Sequence, residues 1–179
     1  REFRRTIETW QSVVKDIGVA KDRGVIEFKD QALNDLVAAY AELDRGWPEA
    51  KDYYKSVEGE GKTWQRLERM AGLYIANDKD ELAIELLTHF LDNRPTDVKC
   101  VDWHESIVDT RKKIGNFPDT EAAMRKFLAF VDERSSPWVQ AHKKSGESYD
   151  KAMKMGENYL LYMSNFYHQL AQKTEDETK

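Results

Sequence analysis

The chain repeats its own pattern of apolar residues. Four positions in one segment recur 34 residues further on, where Leu33, Leu36, Val37 and Tyr40 correspond to Leu67, Met70, Ala71 and Tyr74. A third copy follows 40 residues after the second and includes Ile107, Ala123, Phe127 and Phe130. A supersecondary unit that recurs at about 34 residues is typical of helix-turn-helix solenoids, in which each unit buries its apolar face against its neighbours. The repeat therefore predicts an all-α fold, an α-solenoid of consecutive antiparallel helix pairs without a sheet.

Turn-forming residues divide this single predicted domain into units. We place a half unit at 1–29, repeats at about 30–61, 62–97 and 103–136, a cap at 137–173 and a disordered tail at 174–179. Gly46, Gly59 and Gly61 free the backbone for turns, and Pro95 stops a helix shortly after its last apolar residue. The half unit looks like the second helix of a truncated repeat, whose partner helix would lie before Arg1. The cap is expected because terminal units of solenoids must cover the last open face.

The composition of the 179-residue chain fits a helical domain. Hydrophobic residues make up 40% and charged residues 34%, while Gly and Pro are scarce. Because no apolar run approaches the roughly 18 residues of a membrane helix, we expect no direct insertion into a bilayer. The net charge of −5 disfavours nucleic acid as a ligand, since phosphate binding usually needs a basic field. The compartment, cytoplasmic or bacterial periplasmic, and the oligomeric state stay open.

Patterns that carry catalysis or bind metals are nearly absent from the sequence. Cys100 and His104 lie four residues apart on a predicted helix, but a Cys-His nucleophile pair needs a third group that orients the base. Asp102 and Glu105 beside His104 could suggest a metal, yet a histidine on a partly exposed helix face is the more common interpretation. The sequence therefore predicts no enzyme activity, no cofactor and no metal.

The second repeat, LERMAGLYIANDKDELAIELLTHFLDNRP, resembles the tetratricopeptide repeat family. The matching residues are Leu67, Met70, Ala71, Tyr74, Ala83, Leu87 and Pro95. The Phe90–Leu91 pair departs from the small residue usual late in the second helix, and the third copy departs at Thr110 and Arg111. The resemblance covers residues 30–135. It implies stacked helix pairs that bind a protein or peptide on a concave face lined by the first helix of each pair.

The resemblance also implies which residues line that partner-binding groove. Carried over position by position, they are Gln31, Asn34, Ala38, Gln65, Glu68, Gly72, Ile75, Glu105, Val108 and Lys112. Family members that clamp a peptide's terminal carboxylate use Lys, Arg and Asn at such positions, and here only Asn34 and Lys112 fit. We therefore expect a non-enzymatic scaffold or adaptor in a larger assembly, without a carboxylate clamp.

An alternative from another functional class stays open. In that interpretation the chain is a helical regulatory or enzyme-accessory domain that binds a small molecule. Its pocket would lie between the cap helix and the repeats, lined by Tyr159, Tyr162 and Tyr167. The two hypotheses predict different surfaces, because a scaffold needs an open face whereas a small molecule needs a closed cavity with convergent polar groups.

Overall fold

Helices account for all the regular secondary structure in the part of the chain that the structure describes. The structure is a computed structural model that describes residues 2–18, 22–132, 136–142 and 146–177, with side chains through Thr174. Its helices are α1 (Glu2–Ile17), α2 (Arg23–Ala41), α3 (Trp47–Glu58), α4 (Glu60–Ala76), α5 (Asp80–Asn93), α6 (Cys100–Ile114), α7 (Phe117–Phe130), α8 (Pro137–His142) and α9 (Glu147–Glu177). The prediction of an all-α fold is confirmed for these residues, among which no strand occurs.

Some of the predicted boundaries fall on residues outside the described ranges. These are residues 19–21 of the half unit, 133–135 of the third repeat, 143–145 of the cap and 178–179 of the tail. Within the described ranges, α9 continues through Glu177 and so includes the first residues of the segment expected to be a disordered tail. None of the described helices has the length and apolarity that crossing a bilayer requires.

Residues Arg1–Leu86 form the first of two compact units. In this unit α1 packs along α2, α3 packs along α4, and α2 lies beside α4. Because short connections join α1 to α2 and α3 to α4, the chain reverses direction within each pair. The closest helix pairs in this unit are thus α1 with α2 and α3 with α4. The first repeat predicted from the sequence instead joins α2 to α3. Those two helices contact each other less extensively.

The connection between α3 and α4 explains this pairing. It is a single residue, Gly59, whose φ of 79° lies in the left-handed region that favours glycine. Gly61, expected to separate two units, lies inside α4. At the other end of α3, Pro48 occupies the first helical turn, where its missing amide hydrogen removes no intrahelical bond. The segment 47–76 is therefore one tight helical hairpin.

The repeated apolar residues form the core of this unit. Leu36, Tyr40, Tyr54 and Leu67 are all fully buried. The Tyr54 hydroxyl donates to the carbonyl oxygen of Leu33 at 3.0 Å, so α3 is tied to α2 as well as packed against it. Burying each such side chain contributes about 1.5–3 kcal/mol, which makes these positions the main source of the unit's stability.

Residues Leu87–Lys179 form the second compact unit, and the boundary between the two falls within α5. Here α6 packs along α7, as the third repeat predicted, and α9 packs against both. Gly156 of α9 faces α7 closely, since a Cβ atom there would lie 3.6 Å from the side chain of Leu128. Trp138 of α8 is fully buried, and its indole nitrogen donates to the carbonyl oxygen of Asp97 at 2.8 Å.

Candidate binding surfaces

Seven of the ten predicted groove residues lie on two helices of the first unit that pack side by side. We call them the α2–α4 surface: Gln31, Asn34, Ala38, Gln65, Glu68, Gly72 and Ile75. None of these residues is buried. Gln31, Ala38, Gln65 and Gly72 are exposed, and the other three are half-buried. All seven positions carried over from the family resemblance therefore keep solvent access.

A buried arginine holds one edge of the α2–α4 surface in place. The side chain of Arg66 is 10% exposed and that of its partner Glu58 is 6% exposed. Arg66 Nε donates to Glu58 Oε2 at 2.9 Å, and Nη1 donates to Asn34 Oδ1 at 2.7 Å. The second guanidinium nitrogen, Nη2, donates to both Asp30 and Glu58. One side chain thus ties α4 to α2 and to the end of α3.

The charge state of Arg66 follows from these contacts. Burial by itself lowers the pKa of the guanidinium, but the hydrogen bonds to Glu58 and Asp30 more than offset that effect, so the net pKa is raised. The group therefore stays a cation at every pH at which the protein is folded. Because it donates to the oxygen of the Asn34 amide, the Asn34 nitrogen is turned towards Asp30, 3.3 Å away. Asn34 is held in one orientation before any partner binds.

Two clefts open next to this cluster in the first unit. One, of about 630 Å³, is lined by apolar Ile26 and Leu33 and by the charged Asp30 and Lys62, among others. The other, of about 650 Å³, shares Gly18, Lys29 and Val57 with the first. The sequence-based alternative placed its pocket elsewhere, against the tyrosines of α9.

The remaining predicted residues lie in the second unit, where α6 meets α9. The facing side chains, which we call the α6–α9 seam, are Asp102, Glu105, Asp109, Lys112, Lys151, Tyr159 and Tyr162. Lys151 Nζ lies 2.6 Å from both Asp102 Oδ1 and Glu105 Oε2. These hydrogen bonds raise the pKa of Lys151. Glu105 is half-buried and Lys112 is exposed, so both keep solvent access.

Val108 is a correction to the predicted groove. It is fully buried and therefore belongs to the core of the second unit, where no partner can contact it. The family resemblance placed it on the open face of α6, but α6 is covered by α7 and by α9. The covered part of its circumference is thus wider than in a helix with one neighbour.

The tyrosines assigned to a pocket in the alternative hypothesis are engaged in packing. Tyr159 is 5% exposed and meets Phe127 edge to face at 5.3 Å between ring centroids. Tyr162 stacks on Phe117, and the Tyr167 hydroxyl donates to Glu121 Oε2 at 2.7 Å. These contacts fix α9 against α7 along most of the length of α7.

Cys100 and His104 both have core environments. Cys100 Sγ donates to the carbonyl oxygen of Arg94 at 3.1 Å, and burial is the main cause that raises the pKa of its thiol to about 12. His104 packs against the rings of Phe127 and Phe130. Burial, and then the charge of Lys126, lower the pKa of its imidazole to about 4. At neutral pH both groups are therefore uncharged.

No family model, curated protein or solved structure matches this chain. The resemblance to tetratricopeptide repeats thus rests on the repeated residues themselves.

Proposed function

We propose that this chain is a tetratricopeptide-like α-solenoid module that binds a protein or peptide on the α2–α4 surface and serves as a non-enzymatic scaffold or adaptor in a larger assembly. One observation carries the proposal. Seven residues carried over from the family resemblance lie on two adjacent helices, and all seven keep solvent access. A groove that binds a partner requires these positions to be uncovered, as they are in this unit.

The chemistry of the α2–α4 surface suits an extended peptide. Gln31 and Gln65 supply amide donors and acceptors, and half-buried Ile75 supplies apolar contact. The small residues Ala38 and Gly72 leave room for a peptide backbone to approach. Because Arg66 already orders Asn34, that side chain loses little rotamer freedom on binding, a saving of about 0.5–1.5 kcal/mol for a side chain that would otherwise be immobilised.

Photocrosslinking tests where the partner binds. A photoreactive amino acid is placed at Gln31 or at Gln65, and a matched control carries it at Asp52, an exposed residue of α3. Each protein is expressed in its native source and irradiated, and the crosslinked proteins are quantified by mass spectrometry. We expect one species to be crosslinked from both surface positions and to be depleted from the Asp52 sample.

Two results would refute this placement. Equal capture of the same species from Asp52 would show that the partner does not select the α2–α4 surface. Different species from Gln31 and Gln65, without a shared one, would show that the two helices do not form one site.

A second candidate function is a helical regulatory domain that binds a small molecule. The two clefts favour it in volume, because about 630 and 650 Å³ fall within the range of roughly 300–1,000 Å³ common for ligand sites, although both are open to solvent. Val57 lines both clefts, so Val57→Trp should fill them. A compound that raises the melting temperature of the wild type but not of Val57→Trp would support this function, and equal stabilisation of both proteins would oppose it.

A further inference from the structure

A lysine of the α6–α9 seam lies over two aromatic rings. Lys112 Nζ is 5.5 Å from the ring centroid of Tyr159 and 5.4 Å from that of Tyr162. The same nitrogen lies 3.2 Å from Asp109 Oδ1. Two π faces and a carboxylate converge on one ammonium group, and such groups recognise alkylammonium ions in general.

The electrostatics of the seam favour a cation. Three carboxylates, those of Asp102, Glu105 and Asp109, face the two ammonium groups of Lys112 and Lys151. Among these five groups the carboxylates outnumber the ammonium groups by one. An additional cation from outside would lower the repulsion among the carboxylates, whereas an anion would increase it.

The Tyr159 hydroxyl is a further polar group of the seam. It is buried and has no hydrogen-bond partner among the described residues. Burial, followed by the charges of Asp109 and Glu105, raises the pKa of Tyr159, so the hydroxyl keeps its proton. It is therefore a neutral group with one proton to donate and lone pairs that can accept.

We propose that Tyr159, Tyr162 and Asp109 form a recognition site for the ammonium group of a lysine side chain from a partner protein, and that Lys112 occupies this site until the partner lysine displaces it. The site is open to an incoming chain, because Tyr162 is 43% exposed and the Asp109 side chain is 63% exposed. That the lysine comes from a protein rests on the proposed function; the affinity of the site for an alkylammonium group does not.

Removal of the resident lysine tests the site. A cation–π contact at an exposed position changes binding only about two- to five-fold, so an outside cation can compete with Lys112. The probe is Nα-acetyl-lysine methylamide, titrated into the full chain while the NMR resonances of the tyrosine rings are followed. The variant is Lys112→Ala, and Lys113→Ala is the matched control because it removes the adjacent exposed lysine.

We expect Lys112→Ala to bind the lysine probe about two- to five-fold more tightly than the wild type or Lys113→Ala. Tetramethylammonium, which cannot donate a hydrogen bond to Asp109, should bind the same variant more weakly than the lysine probe. The uncharged probe Nα-acetyl-norleucine methylamide should not bind. The double variant Lys112→Ala/Tyr162→Ala should lose the gain, and circular dichroism should show that it is still folded.

The site is wrong if Lys112→Ala and Lys113→Ala bind the lysine probe equally, if norleucine binds as well as lysine, or if the gain survives the loss of Tyr162. Failure of every variant to bind the lysine probe also overturns it. These results are independent of crosslinking from α2 and α4. If the lysine probe does not bind as expected but crosslinking from Gln31 and Gln65 is selective, this inference alone is wrong. If the probe binds as expected but crosslinking is not selective, the proposed function alone is wrong.

Discussion

Replacing Arg66 with methionine should show how much of the first unit's stability depends on its buried cation. The substitution keeps the length of the apolar stem but leaves the Glu58 carboxylate, 6% exposed, without the guanidinium that satisfies it. Removing one partner of a buried ion pair costs about 3–5 kcal/mol. We expect the lower end, near 3 kcal/mol, because the two carboxylates keep other partners. Lys62 Nζ lies 3.7 Å from Glu58 Oε1, and the Asp30 side chain is 57% exposed to water.

The assay is urea denaturation followed by far-ultraviolet circular dichroism. Arg69→Met is the matched control, because Arg69 is an exposed arginine on the same helix and its loss should change stability by less than about 0.5 kcal/mol. The double variant Arg66→Met/Glu58→Leu removes both buried charges and should recover most of the loss. A cost below about 1 kcal/mol for Arg66→Met, or a double variant no more stable than the single one, would refute the reasoning.

Three further predictions concern stability. The pKa of His104 is lowered to about 4 from 6.5, so between these pH values the unfolded state binds a proton that the folded state does not. The free energy of unfolding should therefore be highest above pH 6.5 and should fall by up to about 3 kcal/mol as the pH drops to 4. Denaturation of His104→Phe should lack this dependence on pH. Gly59→Ala should destabilise by about 1–3 kcal/mol because of its positive φ. Gly61→Ala, inside α4, should stabilise by about 0.5–1 kcal/mol, and opposite shifts in melting temperature would verify the pair. Ala83→Leu should overpack a fully buried position and cost about 1–3 kcal/mol, and an unchanged melt would show that the site has room.

The existence and ends of most helices could be predicted because local chemistry decides them. Gly46 and Gly59, which the sequence assigned to turns, flank α3 directly on its two sides. The start of α2 was missed, since the first full repeat was placed from about residue 30 whereas the helix begins at Arg23. The Asp22 carboxylate accepts from the amide of Gly24 at 2.9 Å and caps the helix there.

The pairing of helices could not be read from the repeats alone. A repeating apolar stripe shows that each helix is covered, but it does not show which neighbour packs most closely. Connection length decides this, and the single residue Gly59 holds α3 against α4 more tightly than the longer connection holds α2 against α3.

The candidate surface could be predicted for helices that have one open face. The prediction failed for a helix that leaves little of its circumference open. The register placed Gln31 and Gln65 in solvent, but it also placed Val108 there, although that residue is fully buried. Arg66 was missed because its partners are distant in sequence. A usable signal existed, since the repeat equates Arg66 with Ala32, an inward position, and a charge at such a position indicates a buried ion pair.

The most direct test of partner binding at the α2–α4 surface is the affinity of the crosslinked partner, purified and titrated against two variants. Ile75→Asp changes a half-buried residue of the surface, and Asp52→Arg changes an exposed residue of α3. If the partner binds as proposed, Ile75→Asp should weaken the affinity by about ten-fold or more while circular dichroism stays native, and Asp52→Arg should leave it within about two-fold. An affinity unchanged by Ile75→Asp in a folded protein, or lost in Asp52→Arg, would contradict the account.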